Sequence, residues 1–422
     1  MNSYQEKHSA LEPYRVMDLT EGGGMIGARM LGDLGADVIK IEPPGGSPSR
    51  LAPFYQDVPD AEKSLFWFAY NANKRGITLD INRTEGQEIF KALARTADII
   101  IESFEVGHMD RLGLGYAGLS KIKPDIILAS ITPFGQSGPK AHYKGSDLTA
   151  WASGGFMYTC GNPERAPNWI SFPQASLFGG AEAAAGAMCA LWHRISTGAG
   201  QHVDVSLQEC SMAPLFNALP MWDVNKVNTR RSGGAAYIPA TGVWQKIYYE
   251  CRGGYVMILV QGGSEPMVSS MKNLVKWMDE EGMAADWLKA VDWVSEYNAT
   301  TLKQEFARKV EAEVAKFTAT KTKMELYEEG GVNRRILLAP VSSARDICEN
   351  QQLKVREYWA EVEHPELDKT ITYCGPFLRV SETPLAYRRR APLIGEHNEE
   401  IYHQELGLSA KKLKSLKQTG VI

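Results

Sequence analysis

The sequence predicts an α/β fold, with an open, parallel, Rossmann-like sheet in a large domain and a smaller α+β domain beside it. Three observations predict it. The apolar-rich stretch RVMDLT leads into the Gly-rich EGGGMIGARMLGDLGA and then into DVIKIE, a strand–helix–strand unit that requires a parallel pair. Between Ile170 and Cys210 an irregular lead-in gives way to Gly179-Gly180, then to an Ala-rich helical run ending near His193, the turn STGAGQ and the alternating strand HVDVSL. From about residue 225 the character shifts. NTRRSGGAAYIPATGVWQ reads as loop, IYYECRGGYVMILV reads as two strands turning at Arg-Gly-Gly, and SSMKNLVKWMDEEG and LKQEFARKVEAEVAKFTA read as amphipathic helices.

The length, 422 residues, allows two domains. A net charge of −4 with 23% charged residues gives no electrostatic reason to invoke nucleic acid or an anionic membrane surface. The opening MNSYQEKHSALEPYR lacks the apolar core of a secretory signal, and no run reaches the length of a membrane span. Cys160, Cys189, Cys210, Cys251, Cys348 and Cys374 are scattered without a C-x-x-C pair, so they read as reduced, mostly buried thiols of a cytoplasmic protein. No metal centre and no covalently bound cofactor is expected.

The first strand-to-helix turn contains a G-x-G-x-x-G, Gly22, Gly24 and Gly27, and Glu42 lies 20 residues after Gly22. One reading is a dinucleotide site, with backbone N–H groups on a phosphate and Glu42 on the ribose of NAD. The other is a tight turn that lets helix and sheet approach closely. The motif alone leaves both open.

Longer matches bear on that choice. VIKIEPPGGSPSR, NANKRGITLDI, ADIIIESFEVGHMDRLGLGYAGL, PDIILASITPFGQSGP and AHYKGSDLTAWASGGF resemble, in order and spacing, the opening motifs of the class III CoA-transferase family. That family includes formyl-CoA transferase, carnitine CoA-transferase and the α-methylacyl-CoA racemases. The tail run APLIGEHNEEI with the final GVI resembles the family's ending, so the likeness covers roughly 12–422. It implies a large domain over 12–224, a small domain over 225–335, and a linker and return to the large domain over 336–422. It also implies an interlocked dimer, and coenzyme A as a substrate thioester rather than a dinucleotide.

The resemblance also implies residue roles. Counting back from Gln201, the family's nucleophilic Asp falls at position 176, four residues before Gly180; here it is Ser176. A carboxylate is required because it attacks the thioester, passes through a mixed anhydride and ends as an enzyme–CoA thioester. A hydroxyl can only be acylated. The racemase branch adds a His to that Asp, and the position of this His is Ser146, just before Asp147; with Ser176, both members of the His–Asp dyad are replaced. The CoA-side positions are Asn71, Asn73, Lys74, Arg75, Phe104, Arg111 and Lys144, whereas Glu105 stands where the family has an Arg suited to phosphate. Pro43 stands where the family often has a basic residue, and the Gly-rich lid of its formyl-CoA branch is reduced to Gly233-Gly234. Glu182, Asp147 and Glu209 are the acids near enough in sequence to be weighed as a relocated nucleophile. The expected protein is therefore a non-catalytic subunit of a CoA-transferase acting on carboxylic acids, dicarboxylates among them. A second class III subunit, in a heterodimer or α2β2, supplies the Asp.

Overall fold

The computed structural model describes residues 9–422. The first strand, β1 (Arg15–Leu19), is followed by helix α1 (Met25–Asp33), β2 (Asp37–Glu42), α2 (Leu65–Asn71), β3 (Lys74–Thr78), α3 (Thr84–Ala94) and β4 (Ile99–Glu102). The short helices α4 (His108–Arg111) and α5 (Tyr116–Ile122) precede β5 (Ile127–Thr132). Then come α6 (Asp147–Ser153), α7 (Phe156–Thr159), α8 (Gln174–Thr197) and β6 (His202–Ser206). The six strands form one sheet in the order β3-β2-β1-β4-β5-β6, and every neighbouring pair is parallel.

Alternation along each strand explains why this sheet forms. Val16, Val38, Ile99, Ile101, Ile127 and Ala129 point to one face, where Ala28 and Leu31 of α1 and the alanines of α8 cover them. Met17, Ile39, Ile77, Ile100 and Leu128 point to the other, under Phe90 and Leu93 of α3. Burial on both faces is what a parallel sheet demands, and it accounts for the near-continuous apolar runs in the sequence. The chain's end closes the second face: Ile401, Tyr402, Leu413, Leu416 and Val421 join that core, and Tyr402 Oη donates to Thr78 O at 2.7 Å.

The chain divides into two compact units. Among the described residues, the larger holds 9–157, Trp169–Val227 and Leu353–Ile422, and the smaller holds Tyr158–Asn168 and Asn228–Gln352. In the smaller, β7 (Ala235–Ile238) and β8 (Val243–Lys246) form an antiparallel pair. The stretch read as loop thus contains a hairpin, turned at PATG with Gly242 at φ +73°. The strands β9 (Tyr248–Cys251), β10 (Gly254–Ile258) and β11 (Leu338–Val341) form an antiparallel sheet whose first turn is the expected Arg-Gly-Gly. The helices Glu265–Glu280 and Gln304–Thr318 meet at Trp277 and Phe317, whose rings pack edge-on 4.9 Å apart.

All six cysteines are free thiols, but none is fully buried, and Cys189, Cys348 and Cys374 are exposed. The expectation of buried thiols fails because Cys189, for one, falls on the outer face of α8. Among the described residues no helix is long and apolar enough to cross a membrane.

Candidate active site

Position 176 is fixed by three elements. Helix α8 begins at Gln174, so Ser176 lies in its first turn rather than in a loop ahead of it. The glycines Gly179 and Gly180, which suggest a break in the sequence, are helix interior. A Cβ on Gly179 would lie 2.2 Å from Leu207, and one on Gly180 would lie 2.7 Å from Ile26 and 2.9 Å from Gly24 O. They are small because the helix must come close, not because it must end.

The first strand-to-helix turn is the partner in that approach. A Cβ on Gly27 would sit 2.3 Å from Gly180 O, and one on Gly23 would sit 2.7 Å from Ser176 Cβ. Two of its amides are engaged: Gly22 N–H donates to Ser49 Oγ at 2.8 Å and Glu21 N–H donates to Ser103 Oγ at 2.9 Å. Glu42 is fully buried and held in a fork by Arg50, with Nε to Oε2 at 2.8 Å and Nη2 to Oε1 at 2.9 Å. The dinucleotide reading of Gly22, Gly24, Gly27 and Glu42 is therefore corrected. The strand order is the one dinucleotide-binding folds use, but the acid meant for ribose is spent on Arg50 and the glycines serve packing.

The residue ahead of α8 is Pro173, which offers no side-chain cap. Asp147 supplies one from another helix: its Oδ1 accepts the Ser176 N–H at 2.7 Å. Asp147 Oδ2 is closed off from solvent and has no hydrogen-bond partner among the described residues. Asp147 is placed there by Ser146, the N-cap of α6, through a capping box in which Ser146 Oγ accepts from Thr149 N and Ser146 N–H donates to Thr149 Oγ1. Ser146 thus has a structural task that explains a serine at the position. Glu182, six residues beyond Ser176, is exposed on a different side of α8. Its charge, after burial itself, helps push the Cys210 thiol up to about 11. Glu209 is exposed as well.

Of the expected CoA-side residues, the structure brings Phe104, Glu105, Arg111 and Lys144 together around a cavity of about 350 Å³. Gly107, at φ +79°, makes the turn into α4 that aims Arg111 at it. Phe104 stacks on His108 at 4.7 Å. Glu105 Oε1 lies 3.9 Å from Lys144 Nζ, but both side chains are mostly in water, so the pair is weak.

The other four are elsewhere. Asn71 is fully buried, and its Nδ2 donates to Trp67 O at 3.3 Å. Asn73 is buried, with Nδ2 donating to Asp33 Oδ1 at 2.7 Å and to Ala386 O at 2.9 Å. Lys74 is fully buried and donates to Asp18 Oδ2 at 2.7 Å and to Met25 O and Asn71 Oδ1 at 2.9 Å each. Burial, partly offset by Asp18, brings Lys74 down to about 8. Arg75 is tied to Asp37 at 2.6 Å, to Glu400 at 2.7 Å and to Glu405. The stretch NANKRG is thus spent on structure, holding the tail against the sheet.

One acid escaped the sequence reading. Glu102, the last residue of β4, is buried and pushed up to about 7 by that burial, against hydrogen bonds from Ser130 and the Phe104 amide. Its Oε2 accepts Phe104 N–H at 2.7 Å, so it shapes the turn that walls the cavity. Ser130 Oγ in turn lies 2.9 Å from His202 Nε2. The available signal was an acid closing a run of isoleucines at a strand's C-terminal end, where parallel-sheet proteins place their sites.

A parallel α/β sheet with a cationic, aromatic-walled cavity beyond its C-terminal edge defines the class of protein. Comparison with known proteins supplies the family. The family model for CoA-transferase family III matches residues 11–398, and the chain belongs to that family. It is 35% identical to the succinyl-CoA:(R)-benzylsuccinate CoA-transferase subunit BbsE of Thauera aromatica, over 97% of both chains. It is 31% identical to a formyl-CoA:oxalate CoA-transferase of Streptomyces avermitilis, over 98% of this chain and 99% of that one. The crystal structure of a CAIB/BAIF family protein from Brucella suis superposes with a TM-score of 0.81 at 27% identity, covering 94% of this chain and 99% of that one.

Proposed function

We propose that this chain is the non-catalytic subunit of a heteromeric class III CoA-transferase, and that a partner chain carries the catalytic Asp. The observation that carries the reading is Ser176 in the first turn of α8, with no available carboxylate in its place. The reaction needs one. A carboxylate oxygen bonds to the acyl carbon and the C–S bond breaks, giving a mixed anhydride. The released CoA thiolate then attacks the enzyme's own acyl carbon, and the C–O bond to the bridging oxygen breaks. The donor acid leaves as its carboxylate, and the enzyme holds CoA as a thioester. Serine has no acyl carbon to offer. The acid beside it, Asp147, has one oxygen on the Ser176 amide and the other closed off.

The likeness to a protein described as a subunit supports a two-chain enzyme, and the same relative makes succinyl-CoA and (R)-benzylsuccinate the first donor and acceptor to try. The cavity around Phe104, Arg111 and Lys144 is proposed as a degenerate CoA site, weakened by Glu105. An interlocked dimer with the partner, in the cytoplasm, completes the proposal.

One observation favours a second reading, a relocated nucleophile at Asp147, because its carboxylate touches residue 176. Activity assays separate the two. Purified alone, this chain is expected to exchange no CoA between succinyl-CoA and (R)-benzylsuccinate, whereas co-expression with an Asp-bearing family III chain restores exchange. Exchange by this chain alone, lost in Asp147→Asn, would establish the second reading instead.

A further inference from the structure

We propose that the smaller unit carries a separate binding site for an uncharged, amphipathic small molecule bearing an amide or hydroxyl group. A cavity of about 550 Å³ lies wholly within that unit, in the size range that holds small ligands, roughly 300–1,000 Å³. Ile238, Met267, Val294 and Leu302 supply apolar wall, and none of the side chains lining the cavity carries a charge.

The polar side chains there are neutral, and not all of them are paired. Tyr297 lines the cavity, is fully buried, and its hydroxyl has no hydrogen-bond partner among the described residues. Burial pushes that hydroxyl up, and Gln245 beside it offsets only part of the rise. The Gln245 amide already donates from Nε2 to Val260 O at 2.9 Å and accepts at Oε1 from Gln261 Nε2 at 3.3 Å. Ser264 heads the helix Glu265–Glu280, yet its hydroxyl makes no capping bond. A buried hydroxyl left unpaired asks for a partner the protein does not provide.

The cavity is built rather than left over. A Cβ on Gly262 would lie 2.1 Å from Trp293 O and 2.2 Å from Tyr297 O, so only glycine lets the backbone pass there. Gly263 N–H donates to Trp293 O at 2.8 Å. Asn298 braces the rim, its Oδ1 accepting from Thr300 N–H, Thr300 Oγ1 and Thr301 N–H, and its Nδ2 donating to Val294 O and Ser295 O. A charged ligand would be buried here without a counter-ion. The inference does not depend on the CoA-transfer reading.

The test uses the full chain with ¹³C-labelled methionine methyls, the half-buried Met267 being identified by Met267→Leu. Benzamide is titrated against benzoate. Benzamide is expected to shift the Met267 resonance saturably and to bind about tenfold or more tighter than benzoate. Tyr297→Phe is expected to weaken benzamide about tenfold, the scale of one lost hydrogen bond. Val294→Trp, at the exposed rim, is expected to block it while the other methionine resonances stay in place. A Met267 signal that benzamide leaves unmoved, as when water alone satisfies Tyr297, overturns the proposal. So does benzoate binding as tightly as benzamide.

Discussion

Asp147 Oδ1 accepts the backbone N–H of Ser176 at 2.7 Å, joining the start of α6 to the first turn of α8. It does from a distance what an N-cap residue does locally, because Pro173 cannot. Asp147→Ala is therefore expected to cost about 1–2 kcal/mol in urea unfolding, and Asp147→Asn less, since an amide oxygen still accepts. Equal stability of wild type and Asp147→Ala would mean the contact does not hold the helix.

The buried charges under β1 give an ordering. Asp18 sits between Lys40, 3.6 Å away, and Lys74, 2.7 Å away, all three fully buried. Burial works to raise the Asp18 carboxyl, and the two lysines outweigh it, so the acid is held below its usual range. Asp18→Asn leaves two buried ammonium groups without a counter-charge and is expected to cost about 3–5 kcal/mol. Lys74→Met leaves the Asp18–Lys40 pair and is expected to cost clearly less. Denaturation midpoints at neutral pH check the order, and the reverse order refutes it.

Glu102 sets a pH dependence. Its carboxyl is raised from 4.5 to about 7 by burial, so between those values the folded chain holds a proton that the unfolded chain has released. Its contribution to stability is thus greatest at acid pH, falls as pH rises through that window, and is flat above it. The slope amounts to about 1.4 kcal/mol per unit. Glu102→Gln still accepts the Phe104 amide and does not titrate, so its stability profile is expected to lose this slope. A mutant profile parallel to wild type from pH 5 to 7 would place the titration elsewhere.

Glu105 is the acid in an otherwise cationic cavity. Glu105→Arg is expected to tighten CoA binding by this chain about three- to tenfold at low salt, a modest gain because the position is wet. Calorimetry at low salt and at roughly 0.5 M salt checks it, and the gain should shrink in the latter. An unchanged affinity at both would remove Glu105 from the account of a weakened site.

Much of the fold is legible in the chain because parallel strands buried on both faces leave apolar runs, as in VIKIE and IIIE, and because the turns between them are marked by glycine. Counting back from Gln201 singles out Ser176, but its setting is not legible: Gly179-Gly180 reads as a break until Gly24, Ile26 and Leu207 are seen pressing on the helix. Lys74 and Arg75 carry charges that sequence assigns to a ligand, whereas their partners Asp18, Asp37, Glu400 and Glu405 are brought to them only by the fold. The Asp147–Ser176 contact spans 29 residues and depends on where two helices cross, which no local pattern records.

The most direct test of the account is intact-mass analysis of every chain in the natively purified complex after incubation with succinyl-CoA and trapping with hydroxylamine or borohydride. The account predicts that this chain keeps its mass while a partner chain is modified at an Asp. A trapped adduct on this chain, mapped to Asp147 or to any other acid, would contradict it.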